Sequence, residues 1–238
     1  MPAWLIRRLL WCLGFGCLWL PVLDDPPLRS GVYLQDVGVD HVTVAMITAA
    51  PCQLRCTVRD ATGRIIAAVD GPPDRRRHAL EVGGLEAGTA YDYEVVADGV
   101  SVGDGRFHTP PADDMAPVKF AVLGDSGKVP WWVWLQTSPI GHWPARWQWL
   151  PTASDVTGIG AAIAAYQPDF LLHLGDVIYP WGQHCHYSPG FFRPFGEVLR
   201  HAPCYMVLGN HDVMDAGGLQ AIENFHLPKN DVTGDERC

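Results

Sequence analysis

Three apolar runs in the second half of the chain each stop at a glycine followed by a group able to bind metal or move protons. They read "VLGDSG" (122–127), "HLGDVIY" (173–179) and "VLGNHD" (207–212). A short apolar run closed by glycine and a polar side chain is the pattern of a buried strand reaching the rim of a sheet. Between the first two runs, "SDVTGIGAAIAAYQPDF" predicts a helix opened by Ser154 or Asp155 and closed before Pro168. Between the second and third, "FFRPFGEVLRHAP" puts Phe191, Phe192, Phe195, Val198 and Leu199 on one helical face despite Pro194. Strand, helix, strand, helix, strand predicts an α/β layer with parallel pairing, and in such a sheet ligands bind beyond the carboxyl ends of the strands.

A single Gly-Asp after a strand is usually a turn or a helix cap. Three such ends in succession, carrying Asp125, Asp176 and Asn210, with Tyr179 three residues beyond the second, point to a metal site. Two hard cations about 3.5–4 Å apart repel, and they need a shared carboxylate with further oxygen and nitrogen donors around them. Asp176, on the middle run, is placed to be shared. His173 reads as a buried strand histidine. His184 and His186, in "WGQHCHY", read as solvated loop residues, with substrate contact as the functional alternative.

The first half has a different grammar. "VYLQDV", "HVTVAMIT", "LRCTVRD", "IIAAV", "HALEV", "YDYEVVAD" and "GRFHT" are short runs, most of them alternating, broken by Gly, Pro and Asp at short spacing. That pattern predicts a β-sandwich over residues 28–111. "TPPADDMAP" (109–117) reads as a linker, and residues 117–238 as the α/β unit. Inside that unit, residues 128–153 form an insertion with Trp131, Trp132, Trp134, Trp143, Trp147 and Trp149. A packed lobe over the sheet edge, a substrate-facing lip and a membrane or partner contact are its possible roles.

Two resemblances follow from these motifs. "LEAGTAYDYEVVADG" with "GRFHTPP" resembles the corner and last strands of a fibronectin type III domain. "GDSG", "GDVIY" and "GNHD" resemble, in order, the first three motifs of the calcineurin-like metallophosphoesterases, and within them the purple acid phosphatases. The expected fold class is therefore mixed, a fibronectin-like β-sandwich followed by a partial α/β metallophosphoesterase sandwich. The resemblance implies that Asp125 binds a first metal, Asp176 bridges two, Tyr179 coordinates the first as a phenolate and Asn210 binds the second through its amide oxygen. It implies Fe(III) with Zn, Mn or Fe(II) beside it. His211 would orient or protonate the leaving oxygen, and Asp212 could hold its imidazole in one tautomer. The implied activity is acid phosphatase-like hydrolysis of a small phosphate ester, with a phosphodiesterase of the same superfamily and a non-catalytic exported binding protein as alternatives. The family's later motifs, a histidine and a Gly-His-x-His loop, have no counterpart after Asp212, where His226 is the only further histidine. The expectation is a truncated catalytic domain with an open apolar sheet face.

Among 238 residues, 48% are hydrophobic, enough for substantial cores, and the formal charge is −9. A chain this acidic has no basic footprint for a nucleic acid. Arg7 and Arg8 precede an apolar run from Leu9 to Leu23, which makes residues 1–27 a signal peptide or an N-terminal anchor and predicts export, with a possible membrane tether. Seven cysteines include Cys12 and Cys17 in that run. The other five, Cys52, Cys56, Cys185, Cys204 and Cys238, lack zinc-ribbon spacing, and Cys52 and Cys56 could pair locally.

Overall fold

Alternating runs in the first half become two facing sheets. The computed structural model describes residues 30–113, 116–127, 156–179, 182, 184–215, 217–226 and 234. Strands β1 (Tyr33–Gln35), β2 (His41–Cys52) and β5 (Arg75–Gly83) form one antiparallel sheet in the order β1-β2-β5. Strands β3 (Leu54–Arg59), β4 (Ile65–Asp70), β6 (Ala90–Ala97) and β7 (Val100–His108) form the other, in the order β4-β3-β6-β7. Alternate residues turn inward: His78, Leu80 and Val82 from β5, and Tyr91, Tyr93 and Val95 from β6, are buried while their neighbours are not. The Tyr91 hydroxyl accepts the Glu86 N–H at 2.9 Å, the corner contact that the fibronectin-like segment leads one to expect.

The second unit is a parallel sheet of β8 (Phe120–Leu123), β9 (Phe170–His173) and β10 (Cys204–Met206), in the order β10-β9-β8. Helix α1 (Val156–Tyr166) links β8 to β9 and ends where Gln167 adopts φ 52°, one residue before Pro168. Between β9 and β10 come a short helix α2 (His184–Tyr187), a π-helical turn (Ser188–Phe192) and helix α3 (Arg193–Leu199). Pro194 sits in the first turn of α3, where its missing N–H costs nothing. A 3-10 turn (Asp212–Asp215) and helix α4 (Leu219–Asn224) follow β10.

The five residues of the predicted helical face are all at most 3% exposed and anchor the second core. That core also takes Tyr33, Ala45 and Ile47 from the sandwich. Leu34 and Val44, the neighbours of Tyr33 and Ala45, face the sandwich interior instead, so β1 and β2 are buried on both faces. This explains why "HVTVAMIT" is nearly continuously apolar rather than alternating. Polar contacts tie the same junction: the Tyr33 hydroxyl donates to the Asn224 carbonyl at 2.8 Å, and the Tyr93 hydroxyl to the Arg200 carbonyl at 2.9 Å. Tyr33→Phe leaves a carbonyl in the junction without its donor and should cost about 1–2 kcal/mol, read as a lower urea midpoint with an unchanged slope.

Several expectations change. His184 is not a solvated loop residue: its ring lies 3.1 Å from the Arg77 guanidinium and 3.1 Å from Asn224 Oδ1, inside the junction. His186 is 6% exposed, because α2 turns it toward the core. Cys52 and Cys56 are free thiols, since Cys56 faces the sandwich interior, where burial pushes its pKa up to about 12, while Cys52 ends β2 beside His78. Residues 1–27, the Trp-rich segment and the side chains of Cys185 and Cys238 lie outside the described residues. Among those described, no helix is long and apolar enough to cross a membrane. Phe120 and Val122 are about half exposed on the sheet face away from α3, with Phe120 stacked on Phe170 at 5.4 Å.

Candidate metal centre

Parallel pairing delivers the three strand ends to one rim. Register sets Leu123 beside His173 and His173 beside Met206, so the loops at 124–127, 174–179 and 207–212 emerge together. Hydrogen bonds continue past the strands, with the Asp125 N–H donating to the Gly175 carbonyl at 3.1 Å and the Val207 N–H to the His173 carbonyl at 3.0 Å.

Asp125 and Asp176 both adopt the left-handed conformation, with φ of 50° and 51°. This region is uncommon for a residue with a side chain, although Asp tolerates it better than most, and outliers of this kind concentrate at functional sites. Close glycine packing holds them there. Gly175, itself at φ 95°, would bring a methyl group to 2.8 Å from the Gly209 Cα, and a methyl on Gly209 would collide with the backbone and carboxylate of Asp176. The glycines of "LGD" and "LGN" therefore let the second and third loops touch.

The carboxylates converge on one phenol. The Tyr179 hydroxyl donates to Asp125 Oδ1 at 2.5 Å and lies 3.3 Å from Asp176 Oδ2. The other oxygen of Asp176 accepts the His211 N–H at 2.9 Å. Asp176 thus meets the phenol of its own loop and the backbone of the third. Burial, then the neighbouring carboxylates, hold the Tyr179 phenol well above its usual pKa. The Tyr179 and His211 rings meet edge to face at 4.6 Å, and Asn210 is exposed on the third loop.

Asp212 has a different setting from the one the sequence suggested. It is fully buried, and its carboxylate accepts the Val177 N–H at 3.1 Å and the Gly209 N–H at 2.9 Å. Burial raises its pKa against the lowering effect of those amide bonds. The contact clamps the second loop to the third. His173 is the buried strand histidine that the sequence predicted, and reasoning from sequence passed over its partner Ser126, whose side chain meets it at 2.7 Å. Burial lowers the His173 pKa to about 4, and Asp125 and Asp176 pull it back only in part. The serine of "GDSG" was the available signal.

Two carboxylates and a phenol are hard oxygen donors, and two carboxylates crowded on one phenol oxygen are a set that a cation would relieve. Among the described residues, no three His, Cys, Asp or Glu side chains gather as a metal group on their own. The two aspartates meet through the Tyr179 hydroxyl, an oxygen donor of a type outside that count.

A family model described as calcineurin-like phosphoesterase matches residues 118–236, half of the chain. The chain belongs to this family. Among solved structures, the calcineurin-like chain is similar to PhoD, with a TM-score of 0.58 and 16% identity over 82% of this chain and 41% of that one. It is also similar to the purple acid phosphatase PPD1 from yellow lupin (Lupinus luteus) seeds, with a TM-score of 0.61 and 13% identity over 87% of this chain and 42% of that one. At these identities the likeness is one of fold. The chain spans about two fifths of the length of either structure. No curated protein matches it.

Proposed function

We propose that this phosphoesterase chain holds a dinuclear metal centre that hydrolyses small phosphate monoesters. In this reading Asp125 and Tyr179 hold one ion, Asp176 is shared and Asn210 holds the other, with Fe(III) at the tyrosine position and Zn, Mn or Fe(II) beside it. The observation that carries the reading is the Tyr179 hydroxyl set against both Asp125 and Asp176. Asp176 reaches the third loop as well, which supports the shared role. Bound ions would neutralise phosphate oxygens and generate a nucleophile from water at neutral pH.

The chain's own residues do the rest. Asp212 and the glycines lock the loops so that the donors keep their spacing. His211 stands at the rim against Tyr179, where its imidazole can orient the ester and give a proton to the departing alcohol. The proposal includes export, with residues 1–27 as leader or tether.

The test is metal content and ester turnover of the purified full chain supplied with iron, zinc and manganese. Retained metal with monoester turnover supports the reading, whereas no metal and no turnover would sink it. His211→Ala should keep the metal and slow esters with poor leaving groups by roughly 10²–10⁴-fold, with little change for good ones. Tyr179→Phe should remove any visible phenolate-to-iron colour; colour that survives puts the ferric ion elsewhere. Faster turnover of diesters than of monoesters would move the assignment to a phosphodiesterase.

A further inference from the structure

Ser126 and His173 lie directly behind the carboxylates and are 6% and 1% exposed. Their contact, Ser126 Oγ to His173 Nε2 at 2.7 Å, joins two strands. Register pairs Leu123 with His173, and the left-handed turn at Asp125 brings the next side chain back over β9. Through its carbonyl His173 also receives the Val207 N–H of the third strand end, and its ring stands edge-on to Phe191 at 5.9 Å. One histidine therefore touches the first loop by its side chain, the third by its main chain and the second by its place in sequence. Its Nδ1 has no hydrogen-bond partner. A buried, half-satisfied imidazole is a poor choice for stability, and an apolar residue would pack on Phe191 at lower cost. What the histidine does provide is a fixed anchor for the residue next to Asp125.

We infer that Ser126 and His173 act as one positioning unit that holds the Asp125 carboxylate against Tyr179 and thereby sets the metal affinity of the cluster. The inference rests on the metal-site reading above. It requires that the pair serve the site and not the fold.

Zn²⁺ is titrated against a competing chromophoric chelator into the full chain and into Ser126→Ala, His173→Leu, the double variant and His173→Gln, with a thermal melt of each metal-free protein. Ser126→Ala and His173→Leu should each weaken Zn²⁺ binding by ~10–100-fold, the scale of partners that orient metal ligands. The double variant should be no weaker than His173→Leu alone, because the two residues act together. His173→Gln, whose amide can occupy the place of Nε2, should restore most of the affinity. The metal-free double variant should melt at or above the unaltered chain, since no polar partner is then orphaned.

Unchanged affinity in both single variants overturns the inference and leaves the metal-site reading standing. Affinity that falls only in step with melting temperature also overturns it, because a structural role explains that result. Failure of the unaltered chain to bind Zn²⁺ overturns both. If His173→Leu does not fold, Ser126→Thr against Ser126→Ala decides: affinity kept by the hydroxyl and lost without it supports the pair, and equal affinity defeats it.

Discussion

Asp176→Asn should leave the full chain unable to retain a pair of metal ions and should bring phosphate-ester hydrolysis to the uncatalysed background. The substitution is nearly isosteric, and the 2.9 Å bond from the His211 N–H can persist to the amide oxygen. Its other end then presents an amide N–H₂ near the Tyr179 hydroxyl, where a carboxylate oxygen stood at 3.3 Å. The lost negative charge is what two cations about 3.5–4 Å apart need between them. The affinity loss should exceed the ~100-fold seen when mere outer partners of ligands are removed. Metal content, turnover and a circular dichroism melt on the same preparation check this, with the melt confirming that the fold survives. Full turnover in Asp176→Asn would remove this residue from the site.

Acid should destabilise the chain as soon as pH falls below the ordinary histidine range. Burial holds both His186 and His173 at a pKa of about 4 in the folded protein. In the unfolded chain a histidine titrates near ~6.5. Between these values the unfolded state binds protons that the folded state refuses, so stability falls as pH falls. The contribution is fully present above the unfolded pKa, declines through the window and loses nothing further below the folded pKa. Each histidine accounts for roughly 3 kcal/mol over the whole window, against a typical total of about 5–15. Urea midpoints followed from neutral pH down toward pH 4 should therefore fall, and His186→Leu should remove a large part of the slope, to which His78 adds in the same sense while His41 and Asp212 oppose it. A midpoint independent of pH would mean that one or both rings reach solvent. An acidic optimum for hydrolysis would then require bound metal to add stability to the folded state.

Local pattern carried far in this chain, for reasons that are themselves local. Inward and outward residues alternate along β5 and β6 because each strand of a two-sheet sandwich has one wet face. The helical face from Phe191 to Leu199 is legible because its apolar period matches the helix, although the π-helical turn at Ser188–Phe192 is not. Parallel order then brings the ends of β8, β9 and β10 to one rim, and Asp125, Asp176 and Tyr179, named from their places after the strands, meet there.

Other features depended on residues far apart in sequence. The nearly continuous apolar run of β2 does not say what covers its second face; that follows from α3 and the π-helical turn docking on Tyr33, Ala45 and Ile47. His184 reads as a loop residue until Arg77, more than a hundred positions earlier, meets it in the junction. For Asp212 the sequence offered only the imidazole beside it as a partner; that its carboxylate also accepts the amides of Val177 and Gly209 came with the fold. By itself the sequence determined which strands exist and which chemical groups stand at their ends, because period and turn chemistry act over a few residues; the order of the strands in each sheet came with the fold. Only the tertiary structure decided what each buried polar group bonds to, because a side chain removed from water must find its partner wherever the packed chain has placed one.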